Sequence, residues 1–351
     1  MKTITRVISA AAMLVFTAIV CALAKNLPLF FFRYWEPASQ WVLGVLGQAF
    51  GWIPFAVWEV LALLLIVWFI ASLIRDILKL RVLRWASGVL WSVALGVCVF
   101  VLFWGVGHFG PTKTEQIIPC PPSTAAELRD AALWYGAQAS ADAQTVARDA
   151  DGAILLPDFS VLSDEANAAF ASLSTQYPVL PSAQAKVKPL FGGELFSYLG
   201  TTGLFVAYTS EPSFNPDTYA PSLPHTVCHE LAHRLGAYAE EDANFLAFLA
   251  CRASDDPAMR YSGSYSAFLY CYNALYDLDP DEAQAVRRTL SDQVNADLDG
   301  SVAHYDPYEG TLQNAAQSVN DTYLKAFDEA GIASYGLVSD ALVAWYRLRN
   351  T

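Results

Sequence analysis

Charge is scarce in this chain of 351 residues: 16% of its side chains are Asp, Glu, Lys or Arg, against 54% hydrophobic. That composition excludes a disordered, solvating chain, and 34 acidic against 21 basic side chains exclude a nucleic-acid surface as the default. Cysteine is sparse and unpatterned. Cys21 and Cys98 fall in apolar runs, while Cys120, Cys228, Cys251 and Cys271 lack the tight spacing from which a disulfide framework is read. Histidine is rarer still, at five. No internal repeat is visible.

The charge that is present divides the chain. Residues 1–108 hold 8 Lys+Arg against 3 Asp+Glu, and the rest hold 13 against 31. Three uncharged or nearly uncharged runs, 7–24, 53–74 and 85–107, are each long enough to cross roughly 30 Å of hydrocarbon. Residues 1–108 therefore read as a membrane domain with three transmembrane helices. The first run ends in Ala22-Leu23-Ala24, so a cleaved signal is the alternative to a retained helix. Arg75, Lys79, Arg81 and Arg84 crowd the loop between the second and third runs, which places that loop in the cytoplasm and the residues after 108 outside. The expected location is the cytoplasmic membrane, multi-pass, with the acidic domain extracytoplasmic. The aromatic cluster between Pro28 and Pro37 reads as a segment lying at the membrane interface, and Glu59, near the end of a span, as a residue that snorkels or pairs within the bundle.

Residues 109–122, with Pro111, Pro119, Pro121 and Pro122, form a stiff linker, and 123–351 a domain ample for one core. A helical pattern starts at Ser123 and runs through Leu128, Ala132 and Leu133; a second helix is predicted over 161–176. The pattern then breaks among Gly192, Gly193, Gly200 and Gly203, which enclose a short strand over 204–208. Helices follow over 225–235, 240–253, 264–277, 280–298, 311–331 and 335–349, with turns at Gly236, 255–257, 279–280 and Gly331. The fold class is mainly α (α+β), with one small sheet.

His229-Glu230-Leu231-Ala232-His233 is an HExxH sequence. On a helix its imidazoles stand one turn apart on one face, where both can bind a single zinc, with Glu230 beside the open coordination position. The helix is argued independently: Ser222 at its start, Pro224 in its first turn, an apolar stripe of Val227, Leu231 and Leu235, and Gly236 as its end. With so few histidines, the chance of this pattern arising at random is roughly three in a thousand.

A catalytic zinc needs a third protein ligand and one open position. If 236–239 reverse the chain into an antiparallel helix, Glu240 faces His233 and Asn244 faces His229. Glu240 is then the third ligand, and Asn244 accepts a hydrogen bond from the imidazole nitrogen of His229 that does not face the metal. Glu241 and Asp242 point elsewhere on that helix and are expected to be solvated.

At these residues a resemblance becomes specific. HExxH followed by Glu-x-x-Ala-Asn resembles the gluzincin type of zinc metallopeptidase, whose third ligand is a Glu on the next helix, usually followed four positions later by Asp; here Asn244 stands in its place. The runs SYLGTTGLFVAYTSEPSFN, SLPHTVCHELAHRLG and EEDANFLAFLAC more closely resemble a bacterial membrane family catalogued as domain of unknown function 3810, as does NDTYLKAFDEAGIASYGLVSDAL over residues 320–342. The resemblance implies a zincin-like domain behind amino-terminal membrane helices. That family usually shows Glu-Asp-Glu-Ala-Asn where this chain has Glu-Glu-Asp-Ala-Asn, a change that spares Glu240 but would remove a ligand just before Ala243.

The remaining candidates are weaker. His225, four residues before His229, reads as a half-buried bystander, an apolar residue being usual there in the resembled family. His304, Tyr261 and Tyr265 are possible donors to an oxyanion. Cys228 faces about 100° away from His229 and reads as packing. The run 203–209 reads either as an edge strand for an extended peptide or as a core strand.

The expected function is a membrane-anchored zinc metallopeptidase that hydrolyses amide bonds outside the cytoplasmic membrane. Its ligands are His229, His233 and Glu240, its base is Glu230, its cofactor Zn2+, and its partners a peptide or protein substrate and the lipid bilayer, with no nucleic acid. The alternative is a non-enzymatic membrane-tethered sensor or scaffold whose zinc staples two helices. A structural site of that kind has no need of Glu230.

Overall fold

The computed structural model describes residues 3–181, 184–327 and 334–350. It resolves into two compact units: residues 1–111 with 206–211, and 112–205 with 212–351.

In the first unit, the helices Thr3–Asn26, Val57–Leu78 and Val82–Phe103 are each long and apolar enough to cross a membrane. They cover the three runs predicted, shifted by a few residues at the ends. The tight link after Leu78 turns at Leu80, whose φ of 55° is unusual for a branched side chain. Residues 28–51 are also helical: Pro28–Phe30, a π-helical turn over Phe31–Trp35 and the helix Glu36–Gly51. The Trp35 indole N–H donates to the carbonyl of Leu102 at 2.7 Å. Glu59 lies in the first turn of Val57–Leu78. The N-terminus of that helix is capped from far along the chain, the Glu211 carboxylate accepting the N–H groups of Val57 and Trp58, each at 3.0 Å.

The second unit is mainly helical with a small three-stranded sheet. The sheet order is β1 (Lys188–Pro189), β3 (Glu211–Phe214), β2 (Gly203–Val206), with β1 and β3 parallel and Lys188 opposite Ser213. The strand predicted over 204–208 is thus shorter, ending at Val206, and it is an edge strand. Ser210, at φ 55°, lies in the turn that returns the chain into β3, a strand the sequence pattern did not announce.

Five helix starts among the described residues carry a side-chain cap from the residue just before them. Thr124, rather than Ser123, starts Ala125–Asp142 through a reciprocal capping box with Glu127. Asp256 accepts the N–H of Met259, so Pro257–Leu278 begins at the last residue of the predicted turn and runs about two turns longer than its apolar stripe suggested. The helix predicted over 280–298 is two, Pro280–Arg287 and Asp292–Tyr305, because Ser291 caps a new start. Helices Phe159–Gln176, Thr311–Phe327 and Ser334–Asn350 follow the predicted spans, while the turn at Gly331 lies outside the described residues. The core gathers where Pro257–Leu278 packs on Ala125–Asp142 and Glu240–Ala253, around fully buried Tyr135, Phe245, Phe248 and Phe268.

Candidate metal centre

The HExxH sequence lies on the helix Leu223–Arg234, called here the motif helix. Ser222 occupies the position before it, but its side chain makes no capping bond, contrary to expectation. The orphan N–H of His225 is met by Ser262 Oγ at 2.9 Å, from the neighbouring helix Pro257–Leu278. Gly236 stops the helix at φ +89°, and the chain returns as the facing helix Glu240–Ala253, which packs along it.

That reversal brings His229, His233 and Glu240 together, one ligand atom from each lying within 4.8 Å of the others. The two Nε2 atoms are 3.0 Å apart; Glu240 reaches His229 Nε2 at 3.3 Å and His233 Nε2 at 3.7 Å. Ligands about 2.0–2.1 Å from a tetrahedral ion stand about 3.3 Å from one another, which is the spacing seen here. The carboxylate spans both imidazoles rather than facing His233 alone.

The outer nitrogens explain why the lone pairs converge. His229 Nδ1 is 2.7 Å from Asn244 Oδ1, and His233 Nδ1 is 2.6 Å from the carbonyl of Ala237. An oxygen can only accept, so both Nδ1 atoms carry hydrogen and both Nε2 lone pairs point into the cluster. Asn244 Oδ1 also accepts from the Tyr270 hydroxyl at 2.8 Å, so one amide oxygen serves both the imidazole and the phenol. Ala237 and Tyr270 were not anticipated. The Gly236 turn is a signal for the first, since it folds the next carbonyl back on the helix end; nothing in the sequence marks Tyr270.

Electrostatics follow from burial. For His229, burial favours the neutral ring, but the Glu240 carboxylate, Glu230 and Asn244 outweigh it and raise its pKa. Burial, reinforced by the proximity of His229, lowers His233 to about 4. Glu230 is 4% exposed, and burial lifts its carboxyl to about 8 against the opposing pull of His229. Its Oε2 has no hydrogen-bond partner among the described residues. On its other side stands Gly203 of β2, where a Cβ would overlap Glu230 Oε1 and lie 2.7 Å from its Cδ.

The other candidates lie elsewhere or do other work. Asp242 is not solvated: it is 1% exposed, and its carboxylate accepts the N–H groups of Lys113 and Thr114 and the Thr114 hydroxyl. The acid that caps this single turn after the first unit cannot also turn toward the histidines. His225 is fully rather than half buried, with Nε2 3.3 Å from the carbonyl of Asn244, and burial lowers its pKa to about 3. Cys228 packs against Cys251, the sulfurs 3.8 Å apart. Tyr261 gives its hydroxyl to Asp297, Tyr265 lies 3.5 Å from the carbonyl of Asp297, and His304 Nε2 meets the carbonyl of Asp217 at 2.7 Å.

A family model described as protein of unknown function (DUF3810) matches residues 34–343, most of the chain. The chain belongs to this family. No curated protein and no solved structure matches it. Within this DUF3810 chain, the matched span holds the motif helix, the facing helix and two of the three long apolar helices.

Proposed function

We propose that this DUF3810 protein is a membrane-anchored, zinc-dependent peptidase of the gluzincin type, with His229, His233 and Glu240 holding the metal and the second unit facing outside the cytoplasmic membrane. The observation that carries the reading is the convergence of two imidazole lone pairs and a carboxylate at ligand spacing, with both outer nitrogens committed to oxygen acceptors. A zinc ion bound there supplies a Lewis acid that acidifies water and polarises a carbonyl. Glu230, buried beside the cluster with an oxygen no described residue satisfies, takes the proton of the attacking water and returns it to the leaving amine. Edge strand β2, with Gly203 against Glu230, offers a rail for an extended peptide. The basic residues Arg75, Arg81 and Arg84 around the link between the second and third apolar helices support the orientation. A scaffold whose metal only joins two helices would leave the bare Glu230 oxygen without a purpose.

The test is made on the full chain in detergent. One zinc per chain is expected by elemental analysis, lost in the His229→Ala, His233→Ala double variant. Glu230→Gln should keep the zinc and lower turnover of peptides drawn from a library by roughly 10²–10⁴-fold. Zinc retained in the double variant overturns the site, and full activity in Glu230→Gln overturns the mechanism.

A further inference from the structure

Arg234 ends the motif helix directly after His233 and is 4% exposed. A buried guanidinium is ordinarily paired with a carboxylate. Among the described residues Arg234 has none: its Nε lacks any hydrogen-bond partner, and the ionisable group that acts on it is the phenol of Tyr238, which is uncharged at ordinary pH. Two acids in the first turn of the facing helix serve other partners, Glu240 the two imidazoles and Asp242 the N–H groups of Lys113 and Thr114. Glu230, four residues earlier on the helix, keeps an unsatisfied oxygen of its own and forms no ion pair with Arg234.

Arg234 stands to His233 as Glu230 stands to His229. Each is the next residue, offset by about 100° to the same side of the helix. That is the side on which Glu230 meets Gly203 of the edge strand. Four residues further along the axis, the Cα of Arg234 lies roughly 6 Å beyond that of Glu230, the length of about two residues of extended peptide. A cation at this place, unanswered by the chain, calls for an anion carried in by what binds.

We propose that Arg234 receives a carboxylate of the substrate, so that the site takes peptides bearing a free carboxylate within about two residues of the bond to be cleaved. This rests on the peptidase reading above. A carboxylate at that distance is either the C-terminus of a short leaving fragment or an acidic side chain, and the two make the same pair with a guanidinium.

The experiment uses the full chain, zinc-loaded, with three peptides of one sequence: free C-terminal acid, C-terminal amide, and amide with Asp in the last position. The expected result is that kcat/KM for at least one carboxylate peptide exceeds that for the plain amide by about tenfold or more, as for a hydrogen-bonded charge. Arg234→Gln should bring that ratio toward one and Arg234→Lys should keep part of it. Preference for the acid alone identifies a C-terminal carboxylate; equal preference for the Asp amide identifies a side chain. Equal cleavage of all three by the unsubstituted protein, which needs no variant, overturns the proposal. A second readout uses no turnover. In chelator-treated protein, N-acetyl-alanyl-alanine should raise the melting temperature of the unsubstituted chain, and its C-terminal amide should not. No difference between them overturns the proposal, whereas absent zinc and absent hydrolysis with that difference intact would overturn only the peptidase reading.

Discussion

Arg148, Asp297 and Tyr261 form one buried polar cluster of the second unit, and His229, His233, Glu240 and Glu230 form another. In the first, the guanidinium grips Asp297 through two hydrogen bonds, 2.9 and 2.7 Å, and Tyr261 adds its hydroxyl to the same carboxylate. Burial and Asp297 together push the Tyr261 phenol far above its ordinary value, so it stays protonated and donates. Charge is answered by charge within the chain. In the second, the imidazole hydrogens are turned outward to Asn244 and Ala237, the lone pairs and a carboxylate meet, and Glu230 keeps a bare oxygen. In the first cluster opposite charges meet within the chain and hold helices together; in the second, two imidazoles and a carboxylate meet at the spacing of metal ligands, beside a carboxylate oxygen that no described residue satisfies.

The largest effect expected from this contrast falls on stability. Arg148→Ala leaves Asp297, whose side chain is 6% exposed, without its cation, and should lower unfolding stability by about 3–5 kcal/mol. Metal affinity should be unchanged. Thermal or denaturant unfolding with a parallel chelator competition checks it, and a loss of metal affinity comparable to the loss of stability would merge the two clusters into one functional unit.

A somewhat smaller effect is expected on turnover, from a position that touches no metal. Gly203→Ala would drive a methyl group into the Glu230 carboxylate. The strand must shift or the base must move, and either should cut kcat by about 100-fold while zinc content stays at one per chain. Unimpaired hydrolysis would mean that the close approach of β2 to Glu230 serves packing and not catalysis.

Legibility from sequence followed the range of the forces involved. The facing helix begins at Glu240 and ends at Ala253 as its pattern predicts, because the Gly236 turn and the apolar spacing are local. The same locality allowed the pairing of Asn244 with His229 to be anticipated from the hairpin geometry alone. Asp242 was misjudged because its partners, Lys113 and Thr114, lie more than a hundred residues away in sequence. Glu211 hides for the same reason: nothing in the sequence around it announces that it caps the helix beginning at Val57. The split at Ser291 was written in the sequence as an N-cap, but an uninterrupted apolar pattern outweighed a single polar residue in the reading.

The smallest expected effects sharpen the contrast within the second cluster, where Asn244 stands in the place the gluzincin pattern gives to Asp. Its Oδ1 accepts from both His229 Nδ1 and Tyr270, so it holds the ring in the tautomer whose Nε2 lone pair faces His233 and Glu240, without lending a negative charge. Asn244→Ala should therefore weaken zinc by roughly 10–100-fold. Tyr270→Phe removes one neutral hydrogen bond to that oxygen and should cost only about fivefold. Asn244→Asp keeps the acceptor and adds charge, so it should bind zinc at least as tightly as the unsubstituted chain. Chelator competition on the three variants orders them, with the melting temperature of the zinc-free protein showing that each is folded. If Tyr270→Phe weakened zinc as much as Asn244→Ala, the phenol rather than the amide would be setting the imidazole. If Asn244→Asp weakened it, the amide nitrogen and not its oxygen would face His229, and the convergence of lone pairs on which the metal centre is argued would lose one of its two supports.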